Sequence, residues 1–157
     1  MRPDPAQDGR QSATALRVQR GVGRLLLAHG FCCASEVSLA TGRRTDLMAL
    51  GPRGEIWIVE IKSSVADFRA DSKWPDYRAA CDRLFFATVP EVPAAIFPPE
   101  AGLIVTDGFA AEIVRDAPLT PLAGATRKAI TLRFARTAAL RLQAVTDPAA
   151  GAGPDGL

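Results

Sequence analysis

Thr45-Asp46-Leu47-Met48-Ala49-Leu50, the turn Gly51-Pro52-Arg53-Gly54, and then Ile56-Trp57-Ile58-Val59-Glu60-Ile61-Lys62 form the stretch that decides the fold. Two apolar runs of strand length flank a Gly/Pro turn, the pattern of a β-hairpin. Side chains at i and i+2 leave a strand on the same face, roughly 6.6 Å apart at about 3.3 Å per residue. Glu60 and Lys62 therefore project together, and a turn at Pro52-Arg53-Gly54 brings Asp46 opposite Glu60 or its neighbour. Two carboxylates and an ammonium converging at the end of an apolar strand are costly to hold there without a use.

Upstream, Phe31 to Leu39 reads as a strand turning at Thr41-Gly42, which sets Glu36 across from Asp46 or one place off. Cross-strand partners on one face lie about 4.5–5.5 Å apart at Cβ. One register thus gathers Glu36, Asp46, Glu60 and Lys62 on one surface, and a slip of one residue in either hairpin scatters them.

Outward from these hairpins the chain reads as one domain. Its 157 residues, 48% hydrophobic, suffice for a single core. Residues 1–12 and 147–157 read as flexible tails around a domain spanning 13–146. Ser12 to His29 is helical, with Val18, Val22, Leu25 and His29 on one arc, His29 packed at the helix end, and Gly30 as the stop. After Lys62, Ser63 or Ser64 caps a short helix through Arg69, and Pro75 opens a helix running to Cys81. Strands follow at Arg83 to Val89, Leu103 to Val105 and Ala111 to Val114, with one helical turn at Ala94 to Phe97. A last helix runs from Thr126 to Val145, with Ile130, Phe134, Ala138 and Val145 inward. The expected fold is α/β: an α-β-β-β-α-β mixed sheet flanked by helices, with two extra strands and a C-terminal helix.

Composition excludes several functions. No apolar run approaches the ~20 residues that span a bilayer. The start, Met1-Arg2-Pro3-Asp4-Pro5, has no signal-peptide h-region. Cys32, Cys33 and Cys81 form no CxxC pair and read as small core thiols of a reducing, cytoplasmic compartment. One histidine cannot build a His-metal site or a Ser-His-Asp triad. The net charge of +2 argues for nucleic acid only if basic residues are locally concentrated.

The Asp46…Glu60-x-Lys62 spacing resembles the PD-(D/E)XK nuclease superfamily, over roughly residues 14–115. Lys73-Trp74-Pro75-Asp76-Tyr77 and Cys81-Asp82-Arg83-Leu84-Phe85-Phe86-Ala87 resemble its MmcB-like DNA-repair branch. The resemblance implies a restriction-endonuclease-like core and Mg²⁺-dependent cleavage of DNA in repair, with Mn²⁺ as the alternative ion. Asp46 and Glu60, the Ile61 carbonyl and, in support, Glu36 would hold the metal. Such oxygen ligands suit Mg²⁺, which activates water and polarises phosphate. Lys62 would stabilise transition-state charge rather than act as a base, since neighbouring carboxylates favour the ammonium. Two other readings stay open: a non-catalytic module that binds DNA structures or docks a repair partner, and an RNA-processing nuclease. The small net charge favours dependence on a partner protein or a homodimer.

For the DNA backbone, Arg43 and Arg44 stand in the turn leading into Asp46, and arginine forks suit phosphate oxygens. Lys73 and the stripe Arg17, Arg20 and Arg24 are further candidates, with Arg133 and Arg136 behind them. Trp74 and Tyr77 read as anchors of their segment to the sheet, and Asp67 and Asp71 as helix-start or loop acids.

Overall fold

Strand order decides where the site lies. A computed structural model describes residues 11–151, so the expected N-terminal tail falls almost wholly outside the described residues, as do residues 152–157. Six strands form one sheet in chain order: β1 (Cys32–Ser35), β2 (Leu47–Leu50), β3 (Ile56–Ile61), β4 (Arg83–Thr88), β5 (Gly102–Thr106) and β6 (Ala111–Arg115). Pairing is antiparallel for β1–β2–β3, parallel for β3–β4–β5 and antiparallel for β5–β6. The mixed α/β sheet and the α-β-β-β-α-β order expected from the sequence are those of the structure.

Helices cover both faces. α1 (Ala13–Ala28) is capped by the Ser12 hydroxyl, which accepts from the Ala15 N–H at 3.1 Å. It buries Val18, Val22 and Leu26 against Leu47, Ala49, Val59, Ile61, Phe85 and Ala87. The alternate residues Met48, Ile58, Leu84 and Phe86 face the opposite layer, where Ile130 and Phe134 of α3 (Gly124–Thr146) pack. Each strand of the centre is thus apolar on both sides, as a sheet covered on both faces requires.

Several local expectations are corrected. Leu26, not Leu25, is the fully buried helix residue, and His29 is an exposed C-cap whose N–H bonds back to Leu25 and Leu26. Cys32 is exposed at the sheet edge, while only Cys81 is buried. Val145 is 78% exposed, because α3 runs past the end of the core it covers. The helix expected from Pro75 to Cys81 is a 3₁₀ segment, Trp74–Ala80, its lone Pro75 at the start. α2 is short (Val65–Ala70), with Ser64 as its cap.

Asp82 locks α3 to the sheet. Its carboxylate accepts from the Ile56 and Leu122 N–H groups at 2.8 and 2.9 Å and takes the Arg127 fork at 2.6 and 2.7 Å. Burial acts to raise its pKa, but these donors win and hold it down to about 2. Arg127 also donates to the Gly54 carbonyl at 2.8 Å, tying the start of α3 to the β2–β3 turn.

Candidate functional site

Leu47 pairs with Val59 across the β2–β3 hairpin, so Asp46 stands opposite Glu60 at the next step of the ladder. Alternation along the strands puts both, with Lys62, on the face of Met48, Ile58 and Phe86, the layer beneath α3 and the Trp74–Ala80 segment. Each carboxylate spends one oxygen on the other strand's main chain. Asp46 Oδ2 accepts from the Ile61 N–H at 2.7 Å, and Glu60 Oε1 accepts from the Asp46 N–H at 3.1 Å. The Ile61 side chain itself points into the opposite layer.

The main chain fixes Lys62 beyond the formal end of β3. Its N–H donates to Ala87 O at 2.9 Å, and the Thr88 hydroxyl donates to its carbonyl at 2.6 Å. Glu60 and Lys62 are only 4% and 7% exposed. The ammonium is held by Asp71, with Nζ 2.7 Å from Oδ2. Asp71 in turn accepts from the Lys73 N–H at 2.8 Å through Oδ1. Burial acts to raise Asp71, yet Lys62 and the following main-chain N–H groups bring its pKa below the ordinary carboxylate value.

The carboxylate pair is electrostatically uncomfortable as it stands. Burial raises the pKa of Asp46, against the lowering effects of the Ile61 N–H and Lys62. Burial and then the charge of Asp46 push Glu60 up to about 9. Two acids that each resist ionisation this way are short of positive charge. Tyr77 closes the site's flank: its hydroxyl donates to Arg44 O at 2.8 Å, and its pKa is raised by burial and then by Glu60, Asp46 and Asp71.

Glu36 stands apart. Its N–H still donates to Asp46 O at 3.0 Å, as the expected hairpin requires. Its backbone, however, is left-handed (φ 51°), and this single residue shifts the strand's phase. Ala34, Val37 and Leu39 pack on the core face, where strict alternation would place residues 34, 36 and 38. The Glu36 carboxylate is thereby turned to solvent, where Arg44 approaches to 3.6 Å. Among the described residues no three His, Cys, Asp or Glu side chains are grouped to share a cation, so a cation here would meet two carboxylates rather than three.

Most of the arginines singled out from the sequence have local partners. Arg43 is engaged with Asp76 at 2.9 Å, and Arg44 remains 61% exposed on its side chain. Arg17 donates to Asp107 O at 2.8 Å, and Arg24 lies 4.5 Å over the Phe109 ring, so these two brace the β5–β6 turn. Arg20 and Lys73 are exposed. Trp74 and Phe68 pack edge-on against Phe86, which makes Trp74 an anchor as expected. Asp67 is a helix-start acid: its N–H donates to Ser64 Oγ, and its carboxylate accepts from the Ser63 N–H at 3.0 Å.

Asp71, expected to be a helix-start or loop acid, is instead the counter-ion of Lys62, a role its sequence position did not reveal. A lone acid after a six-residue helix carries no periodic signal, and its pairing with Lys62 depends on how that helix folds back. The available hint was the run Asp71-Ser72-Lys73-Trp74-Pro75, where an acid precedes main-chain donors freed by a proline-led turn.

The model of a family described as DNA repair protein MmcB-like matches residues 2–149. The chain belongs to that family. This MmcB-like chain is also 50% identical to a protein of unknown function from Silicibacter pomeroyi, over 92% of this chain and 99% of that one, with a TM-score of 0.86. A repair endonuclease from Pyrococcus abyssi overlaps loosely: 13% identity over 65% of this chain and 42% of that one, TM-score 0.34. No curated protein matches the MmcB-like sequence.

Proposed function

We propose that this MmcB-like protein hydrolyses DNA phosphodiester bonds with the aid of Mg²⁺. The observation that carries the reading is Asp46 opposite Glu60 on one sheet face, with Lys62 two residues beyond. The donor set fits a hard divalent cation. Both acids have raised pKa values for want of positive charge, and each has committed one oxygen to a main-chain N–H. Mg²⁺ commonly uses one or two carboxylates and keeps several waters, so the grouping need not contain a third acid. Asp46 and Glu60 would hold the ion, with the Ile61 carbonyl as a further oxygen, and when bound it supplies Lewis acidity toward phosphate and water.

The chain's own residues do the rest. Burial of Glu60 and Lys62 keeps bulk water from screening their charges. Lys62 offers an ammonium fixed by its main chain on both sides, placed to meet charge that grows on a phosphate oxygen. Asp71 keeps that ammonium from collapsing onto the carboxylate pair. Tyr77 remains a neutral wall, since its hydroxyl resists ionisation beside three acids.

The Lys62–Asp71 pair also favours a second reading. A lysine already satisfied by a carboxylate is at home in a protein that binds DNA structures, or a repair partner, without cutting.

Titration calorimetry with Mn²⁺ or Mg²⁺ tests the metal site directly. Wild-type protein should bind one ion and release protons, because raised-pKa carboxyls must ionise to ligate. Asp46→Asn and Glu60→Gln should each weaken binding and reduce the proton count. Wild-type protein that takes up neither ion would count against the catalytic reading.

A further inference from the structure

α3 carries the charge that the rest of the chain lacks. Residues 117–146 hold five of the 19 basic residues and none of the 17 acidic ones, so the remaining 14 basic residues are outnumbered. The +2 net charge therefore hides a basic helix on an otherwise acidic body.

Two of the five cations are structural. Arg127 is fixed by Asp82, and Arg141 donates to the carbonyls of Ser35 and Glu36, the latter at 3.0 Å. Lys128, Arg133 and Arg136 are exposed and make no hydrogen bond or ion pair among the described residues. At about 100° per residue they fall within an arc of roughly 140° turned away from Ile130 and Phe134. Arg133 and Arg136 are three apart, so their Cβ atoms are about 5–6 Å from each other.

The helix also leads to the site. Its first turn is tied to Gly54, at the far end of the β2–β3 hairpin. Arg141 is tied to Glu36, whose N–H bonds to Asp46 O at 3.0 Å. The three cations, unpaired among the described residues, thus sit on a helix whose last turns reach the segment that hydrogen-bonds to Asp46.

We infer that the solvent face of α3, through Lys128, Arg133 and Arg136, is the surface on which the phosphate backbone of DNA docks. Charge complementarity selects this occupant: a polyanion gains from three cations that are unpaired among the described residues, on a helix that itself carries no acid, and phosphate contacts position a strand without reading its sequence. The inference rests on the reading of DNA as ligand, and it displaces the α1 stripe, where Arg17 and Arg24 are spent on the β5–β6 turn and only Arg20 is left.

The test is fluorescence anisotropy of the full chain, without divalent metal, on labelled single-stranded and duplex DNA across a KCl series. The triple variant Lys128→Gln/Arg133→Gln/Arg136→Gln should bind at least tenfold more weakly at low salt. The slope of log K against log salt should become shallower by about 2.7 for duplex DNA, at about 0.9 per phosphate contact. Arg20→Gln, on the opposite side of the sheet, should bind as wild type does. Equal binding by the wild type and the triple variant would overturn the inference and leave the cleavage reading intact, whereas a wild type that binds no DNA would overturn both. Leu132 and Leu140 share this face, at 54% and 46% exposed, so two other occupants are checked. A wild-type dimer in sedimentation that Leu132→Ser/Leu140→Ser makes monomeric, or capture by phosphatidylserine vesicles in preference to DNA, would overturn the inference as well.

Discussion

Lys62 and Asp71 form a 2.7 Å ion pair in which the lysine is nearly closed off from solvent and the aspartate is held by the main chain that follows it. The lysine two residues after Glu60 therefore has its own counter-ion, separate from the carboxylates at its side.

Removing that counter-ion should be expensive. Asp71→Ala strips the buried ammonium of its hydrogen-bonded carboxylate and leaves it only the Asp46–Glu60 pair nearby, so urea unfolding should show a loss of about 1.5–3 kcal/mol, the scale of a charged hydrogen bond. Lys62→Met/Asp71→Ala should recover much of it, because the buried ammonium is gone and the raised-pKa acids Asp46 and Glu60 can hold protons in its absence. A double variant as unstable as Asp71→Ala alone would mean that Asp71 acts through the backbone it caps.

Arg127→Ala should cost about 2–4 kcal/mol, between the value of a charged hydrogen bond and that of a buried pair, since Arg127 is partly exposed. Asp82 adds a pH signature. Its folded pKa, near 2, lies below the unfolded value, so its stabilisation is present above about pH 4 and lost as pH falls toward 2. Acid unfolding midpoints should move upward in Asp82→Asn.

Glu60 has the opposite sign. Its folded pKa, about 9, lies above the ordinary 4.5, so its contribution is fully present below that ordinary value and lost as pH rises toward 9. Asp46 shifts in the same direction. Metal-free protein should melt lower at pH 9 than at pH 6, and Glu60→Gln should flatten this trend. Mg²⁺ should raise the melting temperature more at the higher pH, where the acids are already ionised. A melting temperature equal at both pH values in wild type and variant would show that Glu60 ionises freely.

The sheet was legible because both hairpins announce themselves by apolar runs and Gly/Pro turns, and the Asp46–Glu60 register follows from the length of the second turn. The Glu36 position was not, because hairpin register alone places it beside Asp46, whereas a left-handed residue there flips every side chain after it; the alternation Glu36-Val37-Ser38-Leu39, with Val37 and Leu39 inward, was the mark of that shift. Asp71 escaped for a related reason: its partner is set by tertiary folding of a short helix. Lys128 was hidden within a helix whose apolar residues drew attention to the core, although the acid-free stretch around it could be counted directly.

The central claim is cleavage, and one measurement bears on it most directly: incubation of purified protein with labelled single-stranded, duplex, flapped and branched DNA in Mg²⁺, Mn²⁺ or EDTA. Wild-type protein should cut at least one structure with metal and none with EDTA. Lys62→Ala should cut about 10²–10³-fold more slowly, the scale for one lost electrostatic stabiliser, while still binding metal. Asp46→Asn should lose metal binding and cleavage together. Wild-type protein that binds these DNAs yet cuts none of them with either ion, with both variants indistinguishable from it, would contradict the account and leave a DNA-binding repair module in its place.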